Sequence, residues 1–429
     1  MRNVFVVGLD EPNRELLETL PASQDCRFHT LLDISRLRGV ETFPLDDLLA
    51  EADAALDAFD GSVDAVTTCI DFPATELVPL LAGPRGLPCP SLEGVLGCNH
   101  KHWSRQLQRA AAPEAVPRFD AFDPYLADPL ADIEVDFPMW VKPLNAFRSH
   151  LGFRITSATD LREALPQIRA DLPRLAEPLG RVMDRADLPT AVASAGAELM
   201  LAEEILSGRL CTVEGYVQGG QPHVYGVVDS VRAPNRSSFA RYQYPSSLPQ
   251  PIQARIVETA ERIMTGIGLD DSPFNMELFY NARRDTIRVL EINPRLSQSH
   301  APLFALVDGV SHLQVMVDLA LGGRPALPYR QGDHAVAAKL FLRAYDDGVV
   351  VRIPTDGELA ELAETVPDLI VHPLVAEGDR LRDLTDQDAY SYELAEVYLG
   401  ARSHRELLER WRQVRESLPF VVADPYPTD

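Results

Sequence analysis

The most constraining feature of this 429-residue chain is a pair of strand-like runs in FNMELFYNARRDTIRVLEINPRL. Apolar and polar residues alternate in both runs, and the turn-forming NARRD separates them, which predicts an antiparallel β-hairpin. Glu277 lies in the first run, whereas Glu291 and Asn293 lie two apart in the second and so project from one strand face. Pairing of the two strands can bring the Glu277 and Glu291 carboxylates side by side.

Paired carboxylates of this kind indicate a bound cation, because adjacent negative charges repel and are costly to bury alone. Two carboxylates and the amide oxygen of Asn293 are hard donors that suit Mg²⁺, which keeps its other positions for water and phosphate oxygens. Arg295 follows on the same strand face and is suited to holding phosphate charge. The alternative interpretation is a solvent-facing hairpin edge with ordinary charges.

Three upstream features favour a nucleotide site. Lys142, in VKP, ends a strand and precedes the loop LNAFRSHLG, whose backbone N–H groups could hold phosphate oxygens with the ammonium. Lys101 opens an amphipathic helix, and the strand in Leu199–Gly208 ends with Ile205 and Leu206, against which an adenine ring could pack. Taken singly, each feature is also typical of a solvated lysine or an amphipathic strand end.

The order of these features along the chain is more informative than any of them alone. The chain resembles the ATP-grasp superfamily over about residues 1–330. The motifs occur in the order found in that superfamily: Lys101, then VKP, then AEEILSG, and finally Glu277 followed by EINPR. It is similar to carboxylate–amine ligases related to D-alanine–D-alanine ligase, biotin carboxylase and the L-amino acid ligases. EINPR together with Glu277 is a specific signal for this superfamily. VKP and the glutamates of AEEILSG, at the predicted hinge, are moderately specific, and Lys101 is a weak signal by itself.

The resemblance implies a role for each matching residue. The ATP-binding residues would be Lys101, Lys142, Ser149, Glu203, Glu204, Leu206 and Glu214. Two Mg²⁺ (or Mn²⁺) ions would be held by Glu277, Glu291 and Asn293. Arg295 and Lys142 would be catalytic, with Arg295 stabilising the transferring phosphoryl group and the acyl phosphate.

The chain departs from the family pattern at two places. The phosphate loop usually carries several glycines, but here it offers only Gly152, so Ser149 and the neighbouring backbone must contact the phosphates. The Glu that usually binds the ribose is replaced by Leu210, and Glu214 is the residue that could substitute for it.

A Ser- and Pro-rich segment with three arginines is the candidate site for the acid substrate. Arg232, Arg236 and Arg241 are good carboxylate holders, and a loop there could close and exclude water from an acyl phosphate. A solvated loop is the alternative. Ser297 and His300, directly after the metal strand, either face the acyl site or begin the next helix.

Charge and cysteine content exclude other classes of partner. The formal net charge of −24 opposes binding to nucleic acid or an anionic membrane, and no window approaches the roughly 18 apolar residues of a spanning helix. Five dispersed cysteines predict a reducing cytoplasm without a disulfide framework. A zinc site at Cys89, Cys98, His100 and His102 is a weaker alternative, because neither CxxC nor HExxH spacing accompanies them.

We therefore expect a multidomain α/β and α+β protein. Its predicted parts are an N-terminal Rossmann-like α/β (pre-ATP-grasp) domain at 1–98, a two-lobed ATP-grasp core at 99–330 with a hinge near 200–208, and a C-terminal α+β domain at 331–429. The N-terminal domain lacks GxGxxG after its first strand, so we interpret it as a packing domain and not a dinucleotide site.

The expected reaction is ATP-dependent joining of a small-molecule carboxylate and an amine, most simply an amino acid, through an acyl phosphate. ADP and phosphate are released. A carboxylase-like enzyme that activates bicarbonate and a non-catalytic nucleotide-binding protein are the alternatives, and a homodimer is one assembly left open. The sequence names neither the acid nor the amine.

Overall fold

The computed structural model describes residues 1–38, 42–145, 151–233, 235, 238–384 and 391–424. Ser149 and Arg236 lie outside these residues. The chain divides into two compact units, the first formed by Met1–Gly226, Pro249–Gln298 and Leu313–Ala326, the second by Val227–Leu248, Ser299–His312 and Leu327–Asp429. The predicted three-domain division stays a prediction.

The described residues form helices and strands along the whole chain. The strands are β1 (Arg2–Val7), β2 (Cys26–Leu31), β3 (Ala65–Thr67), β4 (Phe119–Phe122), β5 (Met139–Pro143), β6 (Phe153–Ile155), β7 (Met200–Glu204), β8 (Arg209–Gln218), β9 (Gln221–Arg232), β10 (Phe239–Tyr244), β11 (Ser272–Asn281), β12 (Thr286–Asn293), β13 (Val336–Ala344), β14 (Val349–Arg352), β15 (Ile370–Pro373), β16 (Tyr392–Ala401) and β17 (Val421–Ala423). The α-helices are α1 (Glu11–Glu18), α2 (Leu45–Asp57), α3 (Ala74–Ala82), α4 (Leu92–Asn99), α5 (Lys101–Ala111), α6 (Ala158–Met183), α7 (Thr190–Ala195), α8 (Gln250–Ile267), α9 (Ala301–Asp308), α10 (Leu313–Ala320), α11 (Asp356–Thr365) and α12 (His404–Ser417).

The N-terminal part of the first unit is the predicted parallel sheet. Its strand order is β2-β1-β3, and β1 pairs in parallel with both neighbours. Val4–Val7 of β1 are buried, as expected for a strand covered on both faces. Ser91 caps α4, and His100 Nδ1 accepts a hydrogen bond from Trp103 N (3.2 Å), so that α5 begins at Lys101.

A four-stranded antiparallel sheet follows in the first unit, with the order β4-β7-β5-β6. Helix α6 packs its apolar face on one side of this sheet, against Met139 and Val141 of β5 and Met200 and Ala202 of β7. Because side chains alternate along a strand, Lys142 and Glu203 lie on the opposite side. The packing of α6 thus selects which side carries the charged residues.

The first unit also contains three antiparallel strands in the order β12-β11-β8. The β11–β12 pair is the hairpin predicted from the sequence, and its register is Glu277 opposite Glu291. The register shifts between Glu277 and Leu278, because Leu290 has no partner on β11, as in a β-bulge. The shift puts Ile292, rather than Glu291, on the buried side with Val289.

In the second unit, β10, β13, β16 and β15 are neighbours in an antiparallel sheet that also includes the end of β9. One sheet face forms an apolar core with α12, in which Leu340 and Val397 pack with Leu407 and Val414. Arg232 lies in β9 and Arg241 in β10, and these two strands pair with each other, which corrects the interpretation that both arginines lie in an open loop.

No single helix among the described residues is long and apolar enough to cross a membrane. One bent helix pair, 298–308 with 313–320, passes the same test when it is judged by length and composition alone.

Candidate active site

The hairpin residues fit the predicted cation. Asn275 lies opposite Asn293, two positions along the hairpin from the Glu277–Glu291 pair and on the same face. Asn293 donates from Nδ2 to Asn275 Oδ1 (3.2 Å), which uses the amide nitrogen and leaves the amide oxygen to act as a ligand. Two carboxylates at one register position and an adjacent amide oxygen form a donor set suited to Mg²⁺.

Glu214 lies on the neighbouring strand β8, opposite Asn275. It is fully buried, and its Oε1 accepts a hydrogen bond from Asn275 Nδ2 (2.7 Å). Ser297 N also donates to this carboxylate (3.3 Å). Glu214 therefore holds Asn275 of β11 and the backbone at Ser297, which follows β12. It lies four residues along β8 from Leu210, and its binding to the ribose stays a prediction.

A buried cluster of three charged side chains lies between α5, β5 and β7. Glu203 Oε2 is 2.6 Å from Lys142 Nζ, and Glu203 Oε1 is 2.5 Å from Arg105 Nε. Burial raises the pKa of Glu203, but Arg105 and Lys142 lower it more, to about 2. The Glu203 carboxylate thus pairs with two cations, and its predicted place at the adenine stays a prediction.

The predicted phosphate lysines line one cleft together with two of the three predicted metal ligands, Glu291 and Asn293. This cleft in the first unit is partly open to solvent, and its lining includes Lys101, Arg105, Lys142, Leu290, Glu291 and Asn293. Burial lowers the pKa of Lys101 and the like charge of Lys142 adds to this, whereas Glu291 opposes it. Ammonium groups and the Glu291 carboxylate thus line the same cleft.

Arg295 lies beyond the end of β12 and not on the strand face that its spacing predicts. Its Nε donates to Asp71 Oδ1, and its Nη1 donates to the Leu296 carbonyl (3.2 Å). Burial lowers the pKa of Arg295, but the charges of Asp71, Glu214 and Glu291 raise it more, so the guanidinium stays charged. An arginine fixed beside the metal strand is suited to an anionic reaction centre.

The remaining predicted residues are not among those that line this cleft. Glu204 and Leu206 are partly exposed at and after the end of β7. His300 is buried in a short 3₁₀ helix that leads into α9, edge-on to the Tyr242 ring (5.3 Å between centroids). The Arg232 guanidinium lies 5.0 Å from the centre of the Phe239 ring. Arg241 Nε donates to Gln243 Oε1 (3.2 Å).

Sequence reasoning missed Arg105 and Asp71. Arg105 lies on an amphipathic helix, where an arginine is typically solvated, and Asp71 follows a short strand with no motif around it. The zinc alternative gains no support, since the part of the chain that the structure describes holds no group of three or more His, Cys, Asp and Glu suited to a metal ion.

Comparisons with known proteins agree with this arrangement. Residues 135–302 match the family model of the ATP-grasp domain. The chain is 28% identical over 264 residues to carnosine synthase 1 from Homo sapiens, an alignment that covers 59% of this chain and 30% of that protein. The match thus spans less than a third of its curated relative.

Solved structures share the fold along almost the whole chain. L-amino acid ligase from Bacillus licheniformis superposes with a TM-score of 0.72 at 16% identity, covering 98% of both chains. Biotin carboxylase from Campylobacter jejuni superposes with a TM-score of 0.63 at 14% identity, covering 99% of this chain and 92% of that one. The fold is thus that of multidomain ATP-grasp enzymes. Residues 135–302 thus match the ATP-grasp domain, and the whole chain shares the fold of these solved structures.

Proposed function

We propose that this protein is an ATP-dependent ligase that joins a carboxylate to an amine and releases ADP and phosphate. The observation that carries the proposal is the shared cleft, whose lining includes Lys101 and Lys142 together with Glu291 and Asn293. Phosphoryl transfer depends mainly on positioning and on neutralising phosphate charge. The ammonium groups and the predicted cation ligands of this cleft would position the phosphates and neutralise their charge.

The comparisons support the same class of reaction. The Bacillus licheniformis protein is named as an L-amino acid ligase and the human relative as a carnosine synthase. These names favour an amino acid as one substrate. The name of the Campylobacter jejuni protein, biotin carboxylase, keeps bicarbonate activation as the alternative that the experiment must separate.

The proposed reaction has two steps. An oxygen of the substrate carboxylate attacks the γ-phosphorus of ATP, and the new O–P bond forms as the bond from phosphorus to ADP breaks. The amine nitrogen then attacks the acyl carbon, inorganic phosphate leaves with that oxygen, and the nitrogen loses a proton to solvent. The product is an amide-type bond.

Residues of this chain contribute charge and orientation to both steps. Lys101 and Lys142 hold phosphate oxygens, and Arg295 stabilises negative charge on the transferring group and on the acyl phosphate. Glu277, Glu291 and Asn293 would hold Mg²⁺, which neutralises charge on the phosphate oxygens. The Asp71 carboxylate fixes the Arg295 guanidinium for this role.

The test is a screen of ADP release with pairs of acids and amines, run with and without bicarbonate. The products are identified by mass spectrometry. Release that requires both an acid and an amine, together with a condensed product, is the expected result. Release that requires bicarbonate would instead support the carboxylase alternative. Nucleotide binding without ADP release under any condition would support a non-catalytic protein.

A further inference from the structure

Arg105 is a buried cation that the reaction described above does not use. It lies on α5 and is 3% exposed. All of its side-chain hydrogen bonds within the described residues go to groups of this chain, namely Glu203 Oε1 (2.5 Å), Gln108 Oε1 (2.6 Å) and the Leu290 carbonyl (2.6 Å). Three fixed bonds on a buried guanidinium indicate a positioning function rather than direct substrate binding.

The register of β5 and β7 explains why a third charge is needed. Trp140 lies opposite Glu203 and Lys142 lies opposite Leu201, so Lys142 and Glu203 are diagonal neighbours on one face. Alone they would form a buried neutral pair, in which the carboxylate cancels the ammonium charge. A neutral pair attracts a polyphosphate only weakly.

We propose that Arg105 is a positioning residue that compensates Glu203, so that the Lys142 ammonium keeps a net positive charge for a nucleotide phosphate. The cluster of Arg105, Lys142 and Glu203 then carries one net positive charge. The low pKa of Glu203, about 2, means that this balance holds throughout the neutral pH range. The inference rests on the proposed function only in assuming that the phosphate belongs to ATP.

The bond from Arg105 to the Leu290 carbonyl extends this positioning to the metal strand. Leu290 is the residue left without a partner on β11, and the shift at that point turns Glu291 toward the cleft. One guanidinium thus holds both the carboxylate that anchors Lys142 and the carbonyl next to Glu291. Loss of Arg105 is therefore expected to disturb phosphate binding first and the Glu291 position second.

The experiment measures binding of ATP with Mg²⁺ by calorimetry, which requires no knowledge of the acid or the amine. The Arg105→Met variant removes the net positive charge of the cluster. We expect its ATP affinity to fall about ten- to a hundredfold, which is the effect of losing one charge-assisted contact. The double variant Arg105→Met/Glu203→Gln removes the carboxylate as well and leaves Lys142 charged. We expect it to regain most of the lost affinity.

A matched control lies on the same helix. Arg109 is exposed and lies over the Phe119 ring at 4.7 Å, so Arg109→Met removes the same charge without touching Glu203. Its ATP affinity should stay within about twofold of wild type. Arg105→Lys keeps the charge but not the guanidinium fork, and it should bind ATP more tightly than Arg105→Met.

The outcomes separate this inference from the proposed function. If wild-type protein binds ATP and the double variant binds no better than Arg105→Met, charge compensation is wrong. If Arg105→Met does not fold, the ATP affinity of Arg105→Lys is compared with that of wild type instead. A loss of ATP affinity of a hundredfold or more in Arg105→Lys would overturn the inference. If the wild-type protein binds no nucleotide, the proposed function itself fails.

Discussion

Glu291 lies opposite Glu277 across the β11–β12 hairpin and lines the same cleft as Lys142. The Glu291→Gln variant keeps the shape of the side chain but removes an anionic ligand of the metal. We expect ADP formation to fall more than tenfold, at least about 1.4 kcal/mol of transition-state stabilisation, with an unchanged melting temperature. Steady-state ADP release measures this, with exposed Glu18→Gln as the control. A rate above a tenth of wild type would mean that Glu291 is not a metal ligand.

Lys142 is buried beside Glu203, so its removal affects both binding and folding. Lys142→Ala should weaken ATP binding because the ammonium is lost from the phosphate site. Arg105 still pairs with Glu203, so the loss of unfolding free energy should stay below the roughly 3–5 kcal/mol cost of leaving a buried charge alone. Calorimetric titration and urea unfolding measure the two effects. Unchanged ATP affinity would exclude Lys142 from the site.

Glu76 provides a test of pH dependence. It is fully buried on α3, and its carboxylate accepts hydrogen bonds from Thr75 Oγ1 and Asn99 Nδ2 (both 2.7 Å). Burial raises its pKa from 4.5 to about 7. Between these pH values the folded protein holds a proton that the unfolded chain lacks, so its stability falls as the pH rises.

The Glu76→Gln variant cannot titrate and should escape this loss. Relative to wild type, its free energy of unfolding should increase from pH 5 to pH 8 by up to about 3 kcal/mol. Urea unfolding at the two pH values measures the change. A difference between variant and wild type that is equal at both values would show that Glu76 does not titrate in this range.

Single residues were predictable from the sequence where a local pattern fixed their geometry. The Glu277–Glu291 pairing followed from alternation on either side of one turn, and the structure confirms it. The contact of Arg105 with Glu203 joins residues 98 positions apart, and it depends on where helix α5 lies relative to β7. No local spacing carries that information, so the sequence did not indicate Arg105 or its contact with Glu203.

At the scale of elements, the β9–β10 hairpin changes the expectation for the arginine segment. Phe239 lies opposite Arg232 and Arg241 lies opposite Val231, with a register shift between them. Since neighbouring residues on β9 face opposite sides, Arg232 and Arg241 project from opposite faces of the hairpin. One carboxylate cannot bind both.

We therefore expect only one of these two arginines to hold the acid substrate. Arg232 is exposed at the end of β9, whereas Arg241 shares its face with buried Gln243. Arg232→Ala should raise the KM for the acid about ten- to a hundredfold with ATP affinity unchanged, while Arg241→Ala should act mainly on stability. Kinetics with the acid found in the ADP screen measure this. Wild-type KM for both variants would place the acid site elsewhere, and Ser297 and His300 are then the next candidates.

The elements themselves were largely predictable, and the exception has a physical cause. Alternation of apolar and polar residues identified the β11–β12 hairpin, and the parallel sheet β2-β1-β3 agrees with the α/β fold expected for the N-terminal residues. The segment around Arg232–Arg241 indicated a loop because Ser, Pro and Arg dominate its composition. Cross-strand pairing with β9 and β13 overrides that local preference in the folded protein.

At the scale of the whole molecule, the order of motifs was a better guide than composition. Lys101, VKP, AEEILSG and EINPR lie between residues 101 and 295, and their order indicated the ATP-grasp fold that the comparisons show. The choice of acid and amine depends on pocket shape, which side chains from distant parts of the sequence determine. The substrates therefore could not be predicted.

The most direct test of the proposed reaction follows the carboxylate oxygen. The acid found in the ADP screen is labelled with ¹⁸O in its carboxylate and incubated with ATP, the amine and the enzyme, and the released phosphate is examined by mass spectrometry. An acyl-phosphate route moves one ¹⁸O atom from the acid into inorganic phosphate, because the attacking oxygen leaves with phosphorus. One ¹⁸O per phosphate is the result we predict, and phosphate free of label, formed together with the amide product, would contradict it.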